Sequence, residues 1–119
     1  MKISYAITVC NEFVEIQRLI NFLVSNKRSK DEIIILYDEQ NGDPEIETYL
    51  RSHSVNGEFN WHKGKFNNHF AEWKNQLTSK CKGDYIFQID ADEMPTTYML
   101  DMLPEVLKHN DVDVLKVPR

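Results

Sequence analysis

Two apolar runs in this chain stop abruptly on carboxylates. Glu32-Ile33-Ile34-Ile35-Leu36-Tyr37 runs into Asp38-Glu39, and Tyr85-Ile86-Phe87-Gln88-Ile89 runs into Asp90-Ala91-Asp92-Glu93. Short runs rich in β-branched and aromatic residues read as strands. The first is apolar throughout, as expected of a parallel strand covered on both faces. A carboxylate would lose its hydration in such a core, so each strand has to end where its acids begin. In extended geometry Asp90 and Asp92 point to the same side. Two hard oxygen ligands at a strand's carboxyl end suit Mg²⁺ or Mn²⁺. A lone Asp-x-Asp is also an ordinary acidic turn, and the segment by itself leaves both readings open.

The intervening segments decide the fold class. Ile3–Val9 reads as a first strand, followed by Asn11-Glu12 and by a helix over Phe13–Asn26 with Ile16, Leu19, Ile20 and Leu23 on one face. After the second strand, Asp43 is placed to cap a helix that begins at Pro44 and buries Ile46, Tyr49 and Leu50. Glu58–His62 alternates and reads as a short third strand. A helix is expected over Phe70–Lys82, with Ala71, Leu77, Thr78 and Cys81 inward. Pro95 and Pro104 are expected to break the next helical stretch into short pieces. Val112–Val117 closes the order as a final strand. Strand and helix alternate throughout, which predicts an α/β layer fold with a mostly parallel sheet flanked by helices. Such sheets bind ligands at the carboxyl ends of their strands. Asn11-Glu12, Asp38-Glu39 and Asp90-Asp92 all fall there.

Composition narrows the partners. The 119 residues fit one domain spanning 1–119, and 41% hydrophobic with 28% charged residues is a soluble globular balance. A net charge of −5 argues against nucleic acid, whose phosphates demand clustered Lys and Arg. No run approaches a transmembrane length, and no signal peptide is visible. Cys10 and Cys81 have no metal-site spacing and read as buried reduced thiols. Together these features predict a cytoplasmic protein.

Four stretches carry a likeness. Ile7-Thr8-Val9-Cys10-Asn11-Glu12, Ile34 to Glu39, Phe70 to Leu77, and above all Gly83 to Glu93 resemble, in this order, the family 2 glycosyltransferases of the GT-A (Rossmann-like) fold. The closest flavour is the bacterial lipopolysaccharide core or capsule type. The resemblance covers nearly the whole chain and the nucleotide-sugar-binding half of a typical member, so a minimal or truncated GT-A domain is expected. It implies a metal-dependent enzyme that binds a nucleoside diphosphate sugar, by family default a UDP-sugar, and transfers the sugar to an acceptor. On this resemblance Asn11 and Glu12 line the uracil or ribose pocket, and Asp38, with Glu39, meets the base or ribose. Lys74 and Asn75 face the nucleotide, with Lys74 near the phosphates. Asp90 contacts the ribose or a metal-bound water, and Ala91 joins the substrate-binding set. Asp92, with Asp90, ligates Mn²⁺ or Mg²⁺ in a DXD motif, and Glu93 approaches the donor sugar or supports the loop.

The chain departs from the family pattern at three points. Thr8-Val9 stands for Pro-Thr, Lys74 stands for arginine, and Gln88 stands for an apolar residue. Members using direct displacement place their general base well beyond the metal motif, after the point where this sequence stops, which leaves Glu93 as the nearby candidate. A half-fold leaves apolar surface bare, so a homo-oligomer is expected. Donor binding or slow donor hydrolysis without transfer is the alternative. A receiver domain would need paired acids after its first strand, and a nucleotidyltransferase a glycine-rich phosphate loop there. Several residues also have plain structural readings: Asn11 as a helix cap, Asp38 as a turn residue, and Lys74 and Glu72 as a solvated face. Trp61 and Trp73 read as packing, His53, His62 and His109 as surface, and His69 as a residue within reach of the ligand.

Overall fold

The computed structural model describes residues 2–109 and 114–116, with side chains described through residue 105. Its strands are β1 (Ile3–Val9), β2 (Glu32–Asp38), β3 (Asn60–Gly64), β4 (Tyr85–Asp90) and β5 (Val114–Lys116). Between them run α1 (Phe13–Asn26), α2 (Pro44–His53), α3 (Phe70–Thr78) and α4 (Thr97–His109). All strand pairings are parallel, in the order β3-β2-β1-β4-β5. The chain therefore winds outward from β1 through β2 to β3, and α3 then carries it back across to β4 on the other side. The strand order reverses between β1 and β4, which is where an open α/β sheet opens a crevice. The fold class is α/β and Rossmann-like, as the alternation of elements predicts.

Strand periodicity divides the side chains between two layers. Tyr5, Ile7 and Val9 of β1, Ile33, Ile35 and Tyr37 of β2, and Phe87 and Ile89 of β4 pack with Ile16, Leu19, Ile20 and Leu23 of α1 and Ile46 and Leu50 of α2. Leu100 and Leu103 of α4 join the same core. The alternate residues Ala6, Ile34 and Leu36 pack on the opposite face, against Trp73 and Leu77 of α3. Full burial of each such Leu or Ile stabilises the fold by about 1.5–3 kcal/mol. The face covered by α3 also carries Thr8, Gln88 and Asp90, whose positions continue the same alternation.

Several boundaries differ from the sequence expectation, each for a local reason. α3 ends at Thr78 rather than Lys82, because the following residues are drawn to the amino ends of β1 and β2. There Lys82 N–H donates to Glu32 Oε2 (2.6 Å), Gly83 N–H to Ser4 Oγ (2.8 Å) and Asp84 N–H to the Lys2 carbonyl (2.7 Å). Cys81 consequently lies beyond the helix, half-buried, while Ala71 is exposed and Trp73 takes the inward position. α4 continues through Pro104 as one helix of 13 residues. The proline forfeits one backbone hydrogen bond, and burial of Leu100 and Leu103 in the turn before it offsets that loss. β3 starts and ends two residues later than expected, with Phe59 buried just before it. Asp43 holds the N-cap position of α2 in extended backbone, with Pro44 in the first turn, but its side chain makes no capping hydrogen bond. Of the expected last strand, Val114–Lys116 is present, and its remaining residues lie outside the described ones. The His109 side chain also lies outside them.

Candidate functional site

A cleft of about 680 Å³ opens over the carboxyl ends of β1, β2 and β4. Three of its walls are set by strand ends. β1 contributes Thr8, Val9 and Cys10, and the first turn after it brings Glu12. Glu12 is the N-cap residue of α1, and its carboxylate turns back to accept the Cys10 N–H at 3.0 Å. That bond fixes the β1–α1 corner. Asn11, beside it, is exposed and does not line the cleft.

The β2 wall is built by Asp38. Asp38 is 5% exposed, and its carboxylate accepts the backbone N–H of Gln40 (3.0 Å), the backbone N–H of Asn41 (3.3 Å) and the Asn41 side-chain amide (3.1 Å). An ionised carboxylate has about four acceptor sites, so most of this one folds its own turn. Gly42 completes the turn by donating to the Asp38 carbonyl at 2.8 Å, and a Cβ there would collide with that carbonyl and the Tyr37 ring. Tyr37 Oη then donates to the Asp43 carbonyl at 2.9 Å. Asp38 and Asn41 line the cleft, whereas Glu39 is exposed outside it.

β4 supplies the third wall. Asp90 ends the strand, and extended geometry does not continue to Asp92. Instead the Glu93 N–H donates to the Asp90 carbonyl at 2.9 Å, and Glu93 Oε1 accepts the Asp90 N–H at 2.8 Å. This closed turn leaves Ala91 buried and Asp92 exposed, both lining the cleft with Asp90, while Glu93 stands behind the turn. Register sets Thr8 beside Asp90 on neighbouring strands. The Thr8 hydroxyl lies 3.4 Å from Asp90 Oδ1, and the Lys74 ammonium donates to the same oxygen at 2.9 Å.

The fourth wall is α3 and the loop before it. Lys74 reaches in from the helix face that Trp73 anchors, and Asn75 is exposed outside the cleft. Asn67 and Asn68 adopt left-handed backbone, with φ of 54° and 57°, a region asparagine tolerates better than most residues. His69 accepts the Glu72 N–H through Nδ1 at 3.1 Å and so caps α3. Phe66 and Phe70, with ring centroids 4.8 Å apart, stand at the cleft, and Phe70 is 73% exposed. Thr8, Val9, Cys10, Asn41, Phe66, Asn68, Phe70 and Trp73 thus line the cleft without having been singled out from sequence. The position of the first strand's end, and the aromatic spacing four apart in Phe66 and Phe70, were the available signals.

The cleft is electronegative. Glu12, Asp38, Asp90 and Asp92 line it, and Lys74 is the one cation among the described lining residues. Burial pushes the Cys10 thiol upward, and Asp38 and Glu12 add to the effect, so Cys10 stays protonated near neutrality. Burial also raises Tyr37, reinforced by Glu47 and other nearby acids. Among the described residues no group of three or more His, Cys, Asp or Glu is placed to cage a metal. Asp90 and Asp92 are the two carboxylates at the β4 turn, and a cation held there would have to draw the rest of its shell from water and substrate phosphates. Trp61 packs against the main core with the Arg51 guanidinium 5.9 Å from its ring, and His62 is half-buried, with a pKa lowered chiefly by burial.

A parallel sheet with an acidic cleft at its switch point, one wall bearing an Asp-x-Asp turn, defines an open α/β domain with its ligand cleft at the carboxyl ends of the strands. The sequence comparison agrees and goes further: the family described as glycosyl transferase family 2 matches residues 4–119. The chain belongs to that family and is a glycosyltransferase, with a nucleotide-sugar donor as its implied ligand. It matches no curated protein and no solved structure. Among the described residues no helix is long and apolar enough to cross a membrane.

Proposed function

We propose that this glycosyltransferase uses a nucleoside diphosphate sugar carried on uridine diphosphate, assisted by Mn²⁺ or Mg²⁺, and moves the sugar to an acceptor hydroxyl. One observation carries the reading: among the described residues, four carboxylates and one ammonium converge at the carboxyl ends of β1, β2 and β4, beside the reversal in strand order. Glu12, Asp38 and Asn41 frame the nucleoside end, with the Asp38 turn giving the pocket its shape. Asp90 faces the ribose or ligates the cation beside Asp92, and Lys74 meets the phosphates. Glu93 holds the turn that presents Asp92. A divalent cation bound there would offset charge on the departing diphosphate as a Lewis acid.

The same reading takes residues 1–119 as one nucleotide-sugar-binding unit. It extends to self-association, supported by Tyr98 and Met102, which are one turn apart and exposed on α4. Light scattering at high concentration decides that point, and a monomer throughout would remove it. A cytoplasmic setting is supported by the free thiols of Cys10 and Cys81.

Calorimetric titration with several nucleoside diphosphates, with and without Mn²⁺, tests the donor assignment. Uridine diphosphate binding that requires the metal and is lost in Asp92→Ala is the expected result. Unchanged affinity in that variant would remove the role given to Asp92. Incubating donor with candidate acceptors separates transfer, which yields a glycoside, from hydrolysis, which yields free sugar alone.

A further inference from the structure

Lys74 is already engaged. Its ammonium donates to Asp90 Oδ1 at 2.9 Å and to Thr8 Oγ1 at 3.4 Å. The contact joins α3 to the end of β4, and both side chains are largely enclosed by the cleft wall, 22% and 29% exposed. A divalent cation approaching the same carboxylate would sit ~2.0–2.1 Å from its oxygen in the case of Mg²⁺. An ammonium at hydrogen-bonding distance from that oxygen would then lie within a few ångströms of a double positive charge. With both side chains only partly exposed, repulsion between like charges at that range is appreciable. The two cations therefore compete for Asp90.

The chemistry of the side chain suits an exchange. Lysine is a compact charge on a flexible stem with rotatable donors, whereas arginine would grip a carboxylate with a rigid two-pronged fork. The cleft also needs the charge after the exchange. Its carboxylates repel a diphosphate, and Lys74 is the one lining cation among the described residues able to meet it.

We propose that Lys74 is a resident counter-ion of Asp90, displaced when a divalent cation enters and redirected to the donor's diphosphate. The second half of this exchange rests on the nucleotide-sugar reading of the cleft. Its signature is a pair of effects with opposite signs. Removing the ammonium strengthens the site for the bare cation and weakens it for the nucleotide.

Mn²⁺ binding in the absence of nucleotide, read from the paramagnetic resonance signal of the free ion, tests the first half. Lys74→Met and Lys74→Gln are expected to bind Mn²⁺ about tenfold more tightly than wild type, the effect of removing one nearby like charge. Lys74→Arg, which keeps the charge, is expected to bind it no more tightly than wild type. Calorimetry with uridine diphosphate at saturating Mn²⁺ tests the second half, where Lys74→Met is expected to bind about tenfold more weakly. If Lys74→Met and Lys74→Gln bind Mn²⁺ no better than wild type, or if no form binds it, the counter-ion proposal is overturned. The Mn²⁺ ordering without uridine diphosphate binding by any form would support the competition at Asp90 and overturn the uridine diphosphate reading of the cleft. Uridine diphosphate binding by wild type without the Mn²⁺ ordering would do the reverse.

Discussion

The Glu93 carboxylate and the Asp90 backbone are bonded reciprocally: Glu93 Oε1 accepts the Asp90 N–H at 2.8 Å, and the Glu93 N–H returns to the Asp90 carbonyl at 2.9 Å. The pair converts the end of β4 into a closed turn that leaves Asp92 in the cleft. Hydrogen bonds to a charged acceptor are worth about 1.5–3 kcal/mol. Glu93→Ala is therefore expected to lower the unfolding free energy by about 1–3 kcal/mol and to weaken Mn²⁺-dependent nucleotide binding. Glu93→Gln keeps an acceptor oxygen and should retain most of both. Chemical denaturation and calorimetry on the two variants check the expectation. Equal loss of activity in Glu93→Gln with full binding would instead mark the carboxylate as an acid or base.

Gly42 is a steric requirement of the Asp38 turn, because a Cβ there would overlap the Asp38 carbonyl and the Tyr37 ring. Gly42→Ala should cost about 1–3 kcal/mol by overpacking. The loss would come with weaker nucleotide binding, since Asp38 and Asn41 line the cleft through this turn. A shift of the denaturant midpoint at unchanged slope would report the stability change.

Phe70 is 73% exposed on the cleft rim, although a phenyl ring gains nothing from water. Its truncation to alanine removes little buried surface, so stability should move by less than ~0.5 kcal/mol. Stacking of a base on an aromatic ring is worth about 1–3 kcal/mol. Phe70→Ala is thus expected to weaken uridine diphosphate binding by about fivefold or more. Affinity equal to wild type would exclude a stacking role.

The strands were legible because burial on two faces writes itself into sequence as apolar runs: β1 falls on its expected residues, and β2 and β4 each run one residue further, into Asp38 and Asp90. Carboxylates at those ends, read with the alternation of elements, located the cleft. Contacts between distant segments were not legible. The early end of α3 depends on Glu32 and Ser4 capturing Lys82 and Gly83 from across the sheet. The persistence of α4 through Pro104 depends on the core beneath it. The ion pair of Lys74 with Asp90 spans 16 residues, and no local pattern announces it. Asn11, Glu39 and Asn75 were named from motif position; all three are exposed and none is among the residues that line the cleft.

Glu32 makes the acid sensitivity of the fold predictable. Burial pushes its carboxyl group upward, but hydrogen bonds from Ser4 Oγ and the Lys82 N–H, with the Lys2 ammonium 3.3 Å away, bring the net value below the usual glutamate range. A carboxylate with a lowered folded-state pKa contributes stability that is complete above its unfolded value, about 4.3. That contribution is lost as pH falls through the folded value. The loss falls on one joint, because Glu32 ties β2 to β1 and to the chain segment entering β4. Denaturant midpoints should therefore drop as the pH falls below the ordinary glutamate range, and Glu32→Gln should flatten part of that drop. At neutral pH the variant should be the less stable of the two, and the gap should narrow as the solution is acidified. Parallel acid limbs for wild type and Glu32→Gln would assign the sensitivity to other carboxylates.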